Sequence, residues 1–195
     1  MITMEQVKEL RDTTGLSIMQ CKKALEEANG DMAKALVLLQ KKGASAVAKK
    51  ADRTLGAGRV ISYVHSNGTV GAIIELLCET DFVAKNEEFV ELAKSIAMQA
   101  VATNPKYLRT EEIPEADMQV AKEVFAKEVD GKPADMQAKI LEGKIASYFK
   151  DKVLMESDYI KDPTLTVRGL IESYVQKFGE RIEIGRLVRL GVNEK

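Results

Sequence analysis

Thr80-Asp81-Phe82-Val83-Ala84-Lys85-Asn86 is the stretch around which the rest of this 195-residue chain is organised. It follows an apolar run from Val70 to Cys78 that is typical of a buried strand, and it precedes apolar residues at helical spacing from Phe89 onwards. Asparagine is a preferred residue at the start of helices, so Asn86 is predicted to be the N-cap of this helix. The stretch is therefore predicted to form a strand-to-helix corner, where side chains are held on a rigid support.

The corner, residues 80–86, has two interpretations on spacing alone. Phe82 could pack into the core while Asp81 caps the helix, since phenylalanine is usually buried. Alternatively, Phe82 points outward beside the carboxylate of Asp81, and both side chains engage a partner.

A β-hairpin is predicted immediately before the corner. Two β-branched runs, Arg59 to His65 and Thr69 to Cys78, flank Ser66-Asn67-Gly68, and Asn-Gly between such runs is a strong hairpin signal. Alternating apolar residues from Ile182 to Leu190 predict a further strand that pairs with this hairpin. Together these strands form a small antiparallel sheet.

Helices should cover this sheet, because its second strand is apolar on both faces. One helix follows Asn86, and another is predicted from Thr166 to Phe178. An antiparallel helical hairpin with a turn at Asp130-Gly131-Lys132-Pro133 is predicted as an insertion at residues 115–152. Residues 52–195 are therefore predicted to be a core domain of the α+β class.

Residues 1–51 are predicted to form a separate N-terminal module of three short helices followed by a basic linker. Two capping-box pairs, Thr3 with Gln6 and Ser17 with Gln20, predict where the first two helices begin. Three helices of this size resemble a ubiquitin-associated-type domain, and such folds are interaction modules.

The third helix of the module is predicted to begin after Asp31 and to end at Gly43, with a helical linker from Ala44 to about Leu55. A small common core should hold the three helices together. Its predicted members are Val7, Leu10, Leu16, Met19, Ala24, Leu25, Ala28, Leu36 and Leu39.

Charge and composition exclude several classes of protein. Lys plus Arg is 29 against 30 for Asp plus Glu, and the lack of Trp also argues against a nucleic-acid-binding surface. No apolar run reaches the roughly 20 residues of a membrane span, and the first residues, Met1 to Glu5, do not predict a signal segment. The two cysteines, Cys21 and Cys78, form no redox or metal motif and indicate a reducing compartment. The composition is typical of a soluble protein, and a cytoplasmic location is expected.

Catalytic chemistry is not predicted. His65 is the only histidine and stands beside a turn, no phosphate-binding glycine motif is present, and cysteines and histidine do not cluster. We therefore expect no catalytic residue, no metal site and no cofactor. The remaining interpretation is a protein that works by recognising a partner.

Several motifs in order carry a resemblance to a known family. They are Val7-Lys8-Glu9-Leu10-Arg11, Thr14-Gly15, Cys21-Lys22-Lys23-Ala24-Leu25, Asn29-Gly30-Asp31, Lys49-Lys50-Ala51, Cys78-Glu79 before the corner, Gly131-Lys132-Pro133 and Leu141-Glu142-Gly143-Lys144. With the corner, they make the chain similar to the elongation factor Ts family over nearly its whole length. Longer members carry two similar core subdomains, whereas this chain has room for one, as in the short forms.

The resemblance implies guanine-nucleotide exchange on elongation factor Tu, without covalent chemistry. It implies that Phe82 is an apolar wedge, that Asp81 disturbs the Mg²⁺ environment of the GTPase, and that Thr80 and Val83 hold the corner in shape. It further implies that the module grips the same GTPase through Arg11, Ile18, Met19 and Lys22.

Two other functions remain open at this stage. A non-catalytic interaction adaptor with a dimerising helical arm would explain the module but not the corner. A nucleic-acid-binding protein that uses Lys49 and Lys50 conflicts with the sequence pI near 6.0. A homodimer is expected in addition, because a single core subdomain leaves a sheet face and edge exposed, and the contact could come from the helical hairpin or from the strand at residues 182–190.

Overall fold

The structure is a computed structural model that describes residues 2–129 and 133–194. Its helices are α1 (Met4–Thr14), α2 (Ile18–Glu27), α3 (Met32–Ala48), α4 (Asp81–Ala84), α5 (Glu87–Thr103), α6 (Glu115–Val129), α7 (Ala134–Lys150) and α8 (Val167–Phe178). Its strands are β1 (Ala57–Val64), β2 (Val70–Cys78), β3 (Asp158–Tyr159), β4 (Asp162–Thr166) and β5 (Ile182–Gly191). The predicted α+β class is confirmed.

Two compact units make up the described chain. The first comprises residues 2–61, 74–94 and 168–186, and the second comprises the remaining described residues. The predicted division into a module at 1–51 and a core at 52–195 stays a prediction.

Side chains cap the three N-terminal helices as predicted. The hydroxyls of Thr3 and Ser17 accept hydrogen bonds from the backbone N–H groups of Gln6 and Gln20 at 3.2 and 3.3 Å. Both glutamine side chains accept in return from the backbone of the capping residue at 3.0 Å. Asp31 caps α3 through its carboxylate. Each cap satisfies a backbone donor that the first turn of a helix leaves unpaired.

A buried cluster joins α1, α2 and α3 and contains most of the predicted core. Met19 is the exception, because its side chain is 76% exposed, and its assignment to the core is wrong. It is the second residue of α2, on a different face from the buried Cys21, Ala24 and Leu25. Leu36 is only partly buried.

The prediction that Gly43 ends the third helix is also wrong, because α3 continues to Ala48. Gly43 is buried, and a Cβ atom there would lie 3.4 Å from the backbone oxygen of Glu172 and 3.5 Å from the side-chain oxygen of Gln176. These distances correspond to ordinary van der Waals contact, so α3 passes close to α8 within the first unit and Gly43 still leaves space for a methyl group. Gly43 therefore lies inside the helix and does not mark its end.

The three-stranded antiparallel sheet has the order β1-β2-β5, so the hairpin and its partner strand are confirmed. The turn closes as its Asn-Gly pair predicts: Gly68 has a φ of +69°, and the backbone N–H of Gly68 donates to the oxygen of His65 at 2.8 Å.

Fully buried side chains from the sheet and from α5 form the core of the first unit. Phe89 from α5 meets Phe178 from α8, with 6.5 Å between ring centroids. Ile74, Leu76 and Ile184 contribute from the strands.

The second unit contains the predicted helical hairpin, α6 and α7. Of the predicted turn at 130–133, residues 130–132 lie outside the described residues. A cluster of Tyr107, Ala121, Ile145, Phe149 and Val153 packs at the hairpin's base. The β3–β4 pair and two short 3-10 turns, Thr110–Glu112 and Leu154–Glu156, were not predicted, because each is too short to show a periodic pattern.

Candidate functional site

The corner is shaped by two consecutive caps. Thr80 has an extended backbone, and its hydroxyl oxygen accepts a hydrogen bond from the N–H of Val83 at 3.5 Å, which starts the single turn of α4. Asn86 then accepts from the N–H of Glu88 at 2.8 Å at the start of α5. Thr80, and not Asp81, therefore caps α4, and the chain turns twice within seven residues.

Phe82 lies on the outer side of this turn and is 83% exposed. Its neighbours Val83 and Ala84 are buried, so the turn is anchored on its other side. The interpretation of Phe82 as a core residue is wrong. The corner presents an aromatic ring to solvent on a capped turn whose other side is buried.

Asp81 is also exposed, and its carboxylate accepts a hydrogen bond from the Lys85 ammonium at 2.5 Å. This hydrogen bond and the attraction between the two charges hold the pKa of Asp81 below its ordinary value of 3.8. Asp81 therefore carries a negative charge beside the exposed ring at neutral pH.

Three residues that sequence reasoning missed hold the corner in place. The side chain of Arg59 on β1 donates to the backbone oxygen of Ala84 at 2.8 Å, at the end of α4. The carboxylate of Glu180, in the connection between α8 and β5, accepts from the backbone N–H of Thr80 at 3.0 Å. The backbone N–H of Arg181 donates to the carboxylate of Glu79 at 2.6 Å. No local pattern could have paired residues so distant in sequence.

Cys78 at the end of β2 is buried and plays no exposed part in the corner. Its thiol donates to the backbone oxygen of Thr80 at 3.2 Å. Burial raises the pKa of this thiol to about 11, and the nearby carboxylate of Glu180 adds to the effect. The thiol is therefore protonated at neutral pH.

The four predicted contacts of the module lie around the connection between α1 and α2. Arg11 belongs to the last turn of α1, and Ile18 and Met19 are the first two residues of α2. Ile18 is about half exposed, and Lys22 forms only a 3.9 Å ion pair with Glu26. The structure thus places Arg11 on α1 and the other three residues on α2, and it brings Thr80 to Val83 together at the corner.

Among residues 2–129 and 133–194, no group of three or more His, Cys, Asp or Glu side chains could hold a metal ion. Within the same residues, no helix is both long and apolar enough to cross a membrane.

The sequence also matches known proteins. Residues 7–194 match the family model described as "Elongation factor TS". A protein of Carboxydothermus hydrogenoformans named "Elongation factor Ts" is 45% identical over 100% of this chain and 90% of its own length. The protein of the same name from Thermotoga maritima is 45% identical over 99% of this chain and 97% of its own. That of Fervidobacterium nodosum is 43% identical over 99% of both chains.

Proposed function

Because the chain belongs to the elongation factor Ts family, we propose that it is a guanine-nucleotide exchange factor that promotes GDP release from elongation factor Tu. The exposed Phe82, on a capped corner beside a charged Asp81, is the observation that carries this proposal. The protein acts by binding, without forming or breaking a covalent bond.

Exchange by a binding protein follows from thermodynamic linkage. A protein that binds the nucleotide-free GTPase more tightly than the nucleotide-bound form must weaken nucleotide binding by the same factor. The exchange factor therefore needs contacts that the GTPase can complete only when its nucleotide site is distorted.

The Phe82 ring has the properties of such a contact. It is apolar, already exposed and held by a turn whose other side is buried, so inserting it between elements of the GTPase requires little reordering of the corner. Apolar area leaves water on insertion, which supplies binding free energy. This energy offsets the displacement of GTPase elements near the phosphates.

The Asp81 carboxylate acts beside the wedge. Mg²⁺ in a nucleotide site demands near-octahedral oxygen geometry, so a nearby negative charge that displaces its ligands loosens GDP. Thr80 and Val83 keep Asp81 and Phe82 in register by starting and anchoring α4.

The module supplies a second contact on the same GTPase through Arg11, Ile18, Met19 and Lys22. Two contacts on one chain raise the effective concentration of the corner at the nucleotide site. The exposure of Ile18 and Met19 at the start of α2 supports this role.

The protein works as a homodimer. In the second unit, the sheet has an apolar face that is formed in part by the edge strands β1 and β5. Five of its side chains are partly or largely exposed. These side chains are Val64, Ile73, Val188, Leu190 and Val192, and they line one shallow groove. Contiguous apolar surface of this kind is stabilised by a second copy.

Release of fluorescent GDP from elongation factor Tu tests the exchange function directly. The release rate should rise with the concentration of this protein and reach a plateau. If the protein binds elongation factor Tu without accelerating GDP release, it is a non-catalytic adaptor and the exchange proposal is wrong.

A further inference from the structure

The connection between α8 and β5 meets the corner through a pair of crossed carboxylates. Glu180 accepts from the backbone N–H groups of Glu79 and Thr80 at 3.1 and 3.0 Å. In the opposite direction, Glu79 accepts from the backbone N–H of Arg181 at 2.6 Å. Each segment thus satisfies the backbone donors of the other.

These donors need partners because β2 ends at Cys78. Beyond that residue the strand ladder no longer pairs the N–H groups of Glu79 and Thr80. The Glu79 donor is part-buried, and leaving such a donor unpaired is costly. Hydrogen bonds from N–H groups to a carboxylate are stronger than those to a neutral acceptor. Glu180 therefore replaces the missing ladder partner at the point where the strand turns into the corner.

Glu180 also orients the side chain that begins α4. The Thr80 hydroxyl donates to the second carboxylate oxygen of Glu180 at 2.5 Å while its own oxygen accepts from the N–H of Val83 at 3.5 Å. A hydroxyl has one proton, so its direction is fixed once that proton is donated to Glu180. The oxygen lone pair then faces the first turn of α4.

Arg53 forms an ion pair with the Glu79 carboxylate, and both Arg53 and Arg181 donate to backbone oxygens nearby. Arg53 donates to the Glu79 carboxylate at 3.1 Å and to the backbone oxygen of Gly179 at 3.4 Å. Arg181 donates to the backbone oxygen of Arg53 at 2.6 Å. The network therefore joins the linker, the end of β2 and the α8–β5 connection within the first unit.

From this geometry we propose that Glu180 is a positioning residue for exchange: it holds Thr80, and through it the start of α4, so that Asp81 and Phe82 are presented in one orientation. This inference rests on the exchange function proposed above. Glu180 acts through the corner, and its contribution is the ordering of the corner before the partner binds.

The test compares Glu180→Ala with Glu91→Ala, a matched control in which an exposed glutamate on α5 loses only a 3.7 Å ion pair with Lys94. Glu180→Ala removes the three hydrogen bonds that Glu180 accepts from Glu79 and Thr80, and it should slow GDP release from elongation factor Tu about tenfold. Backbone amide exchange of Thr80 and Val83, followed by NMR, should become faster. Glu91→Ala should change neither quantity.

A mutant cycle separates positioning from a direct contact. If Glu180 acts through Asp81 and Phe82, adding Glu180→Ala to a variant that carries both Asp81→Asn and Phe82→Ala should slow release by less than about twofold more. A full tenfold effect in that background would overturn the inference, as would unchanged amide exchange at Thr80 and Val83.

Thr80→Val keeps the inference testable if Glu180→Ala fails to fold. It preserves the branched shape but removes the hydroxyl that Glu180 orients, so it should slow release and speed amide exchange at Val83. An unchanged release rate in a folded Thr80→Val protein would overturn the inference. If Phe82→Ala slows release and Glu180→Ala does not, the inference about Glu180 is wrong and the proposed function stands. If neither variant slows release, the proposed function is wrong.

Discussion

Gly43 on α3 faces the backbone of Glu172 on α8 so closely that a Cβ atom at Gly43 would lie 3.4 Å from the Glu172 carbonyl oxygen. A distance of this kind is ordinary van der Waals contact and leaves space for one methyl group. The N-terminal module therefore meets α8 of the first unit through backbone at this point, with little side-chain material between the two helices.

Gly43→Ala should stabilise the protein by up to about 1 kcal/mol, because alanine favours a helix interior over glycine and the contact tolerates a methyl group. Gly58→Ala is the matched comparison, since its Cβ would lie 2.5 Å from the backbone oxygen of Leu76. The backbone around Gly58 must shift to make space, and we expect the free energy of unfolding to fall by about 1–3 kcal/mol. Urea denaturation measures both, and equal effects would contradict the proposed difference in space.

Local signals predicted much of this fold, and distant contacts account for most of what they missed. The Asn67-Gly68 turn and the Thr3 cap act within a few residues, so their sequence patterns are sufficient. The interpretation of Gly43 was wrong because sequence alone does not distinguish a glycine inside a helix from one that ends it, and α3 continues to Ala48. Glu180 lies a hundred positions from Thr80, which no spacing rule connects.

At the corner, sequence predicted the turn but not the direction of its ring. Phe82 and Val83 are adjacent apolar residues, and composition gives both the same preference for burial. The one-turn helix buries Val83 and exposes Phe82. The choice depends on the caps and the Arg59 contact, which fix how α4 is rotated.

Phe82→Ala should lower the free energy of unfolding by less than about 1 kcal/mol, because the ring is exposed. Truncating an anchor at the centre of an interface costs about 2 kcal/mol or more, roughly 30-fold in binding, so GDP release should slow strongly. Thermal unfolding and release of fluorescent GDP measure the two effects. Val120→Ala, at an exposed apolar position on α6, is the control and should leave both unchanged. A destabilised Phe82→Ala that exchanges normally would contradict the wedge.

Asp81→Asn should slow exchange, because it preserves shape and removes the charge that acts on the Mg²⁺ site. Lys85 lowers the folded-state pKa of Asp81, so this carboxyl is ionised above its unfolded pKa and takes up a proton only as the pH falls through the lower folded value. The ratio of wild-type to Asp81→Asn rates should therefore be constant between about pH 6 and 8. Asp52→Asn, an exposed change in the linker, is the control, and a ratio that falls toward pH 6 would contradict this assignment.

Met19→Ala should raise the concentration of this protein that gives half-maximal GDP release and leave the maximal rate unchanged. The reason is that the module supplies binding while the corner distorts the nucleotide site. Met19 is 76% exposed, so stability should change by less than about 0.5 kcal/mol. A titration with elongation factor Tu measures both parameters, and Val37→Ala on α3 is the control. A lower maximal rate would place Met19 in the exchange step itself.

Leu190→Lys should convert the proposed homodimer to a monomer. Leu190 is 72% exposed on the sheet face with Val188 and Ile73, and a dimer through this face would bury an ammonium group in an apolar contact. Sedimentation at micromolar concentration should give about twice 21.5 kDa for the wild type and 21.5 kDa for the variant. Val124→Lys places the same charge on α6 of the helical hairpin, and dissociation by this variant alone would move the interface there. Because Cys21 and Cys78 are both buried, a dimer through either surface should survive reductant. A wild-type protein that sediments as a monomer would contradict the homodimer.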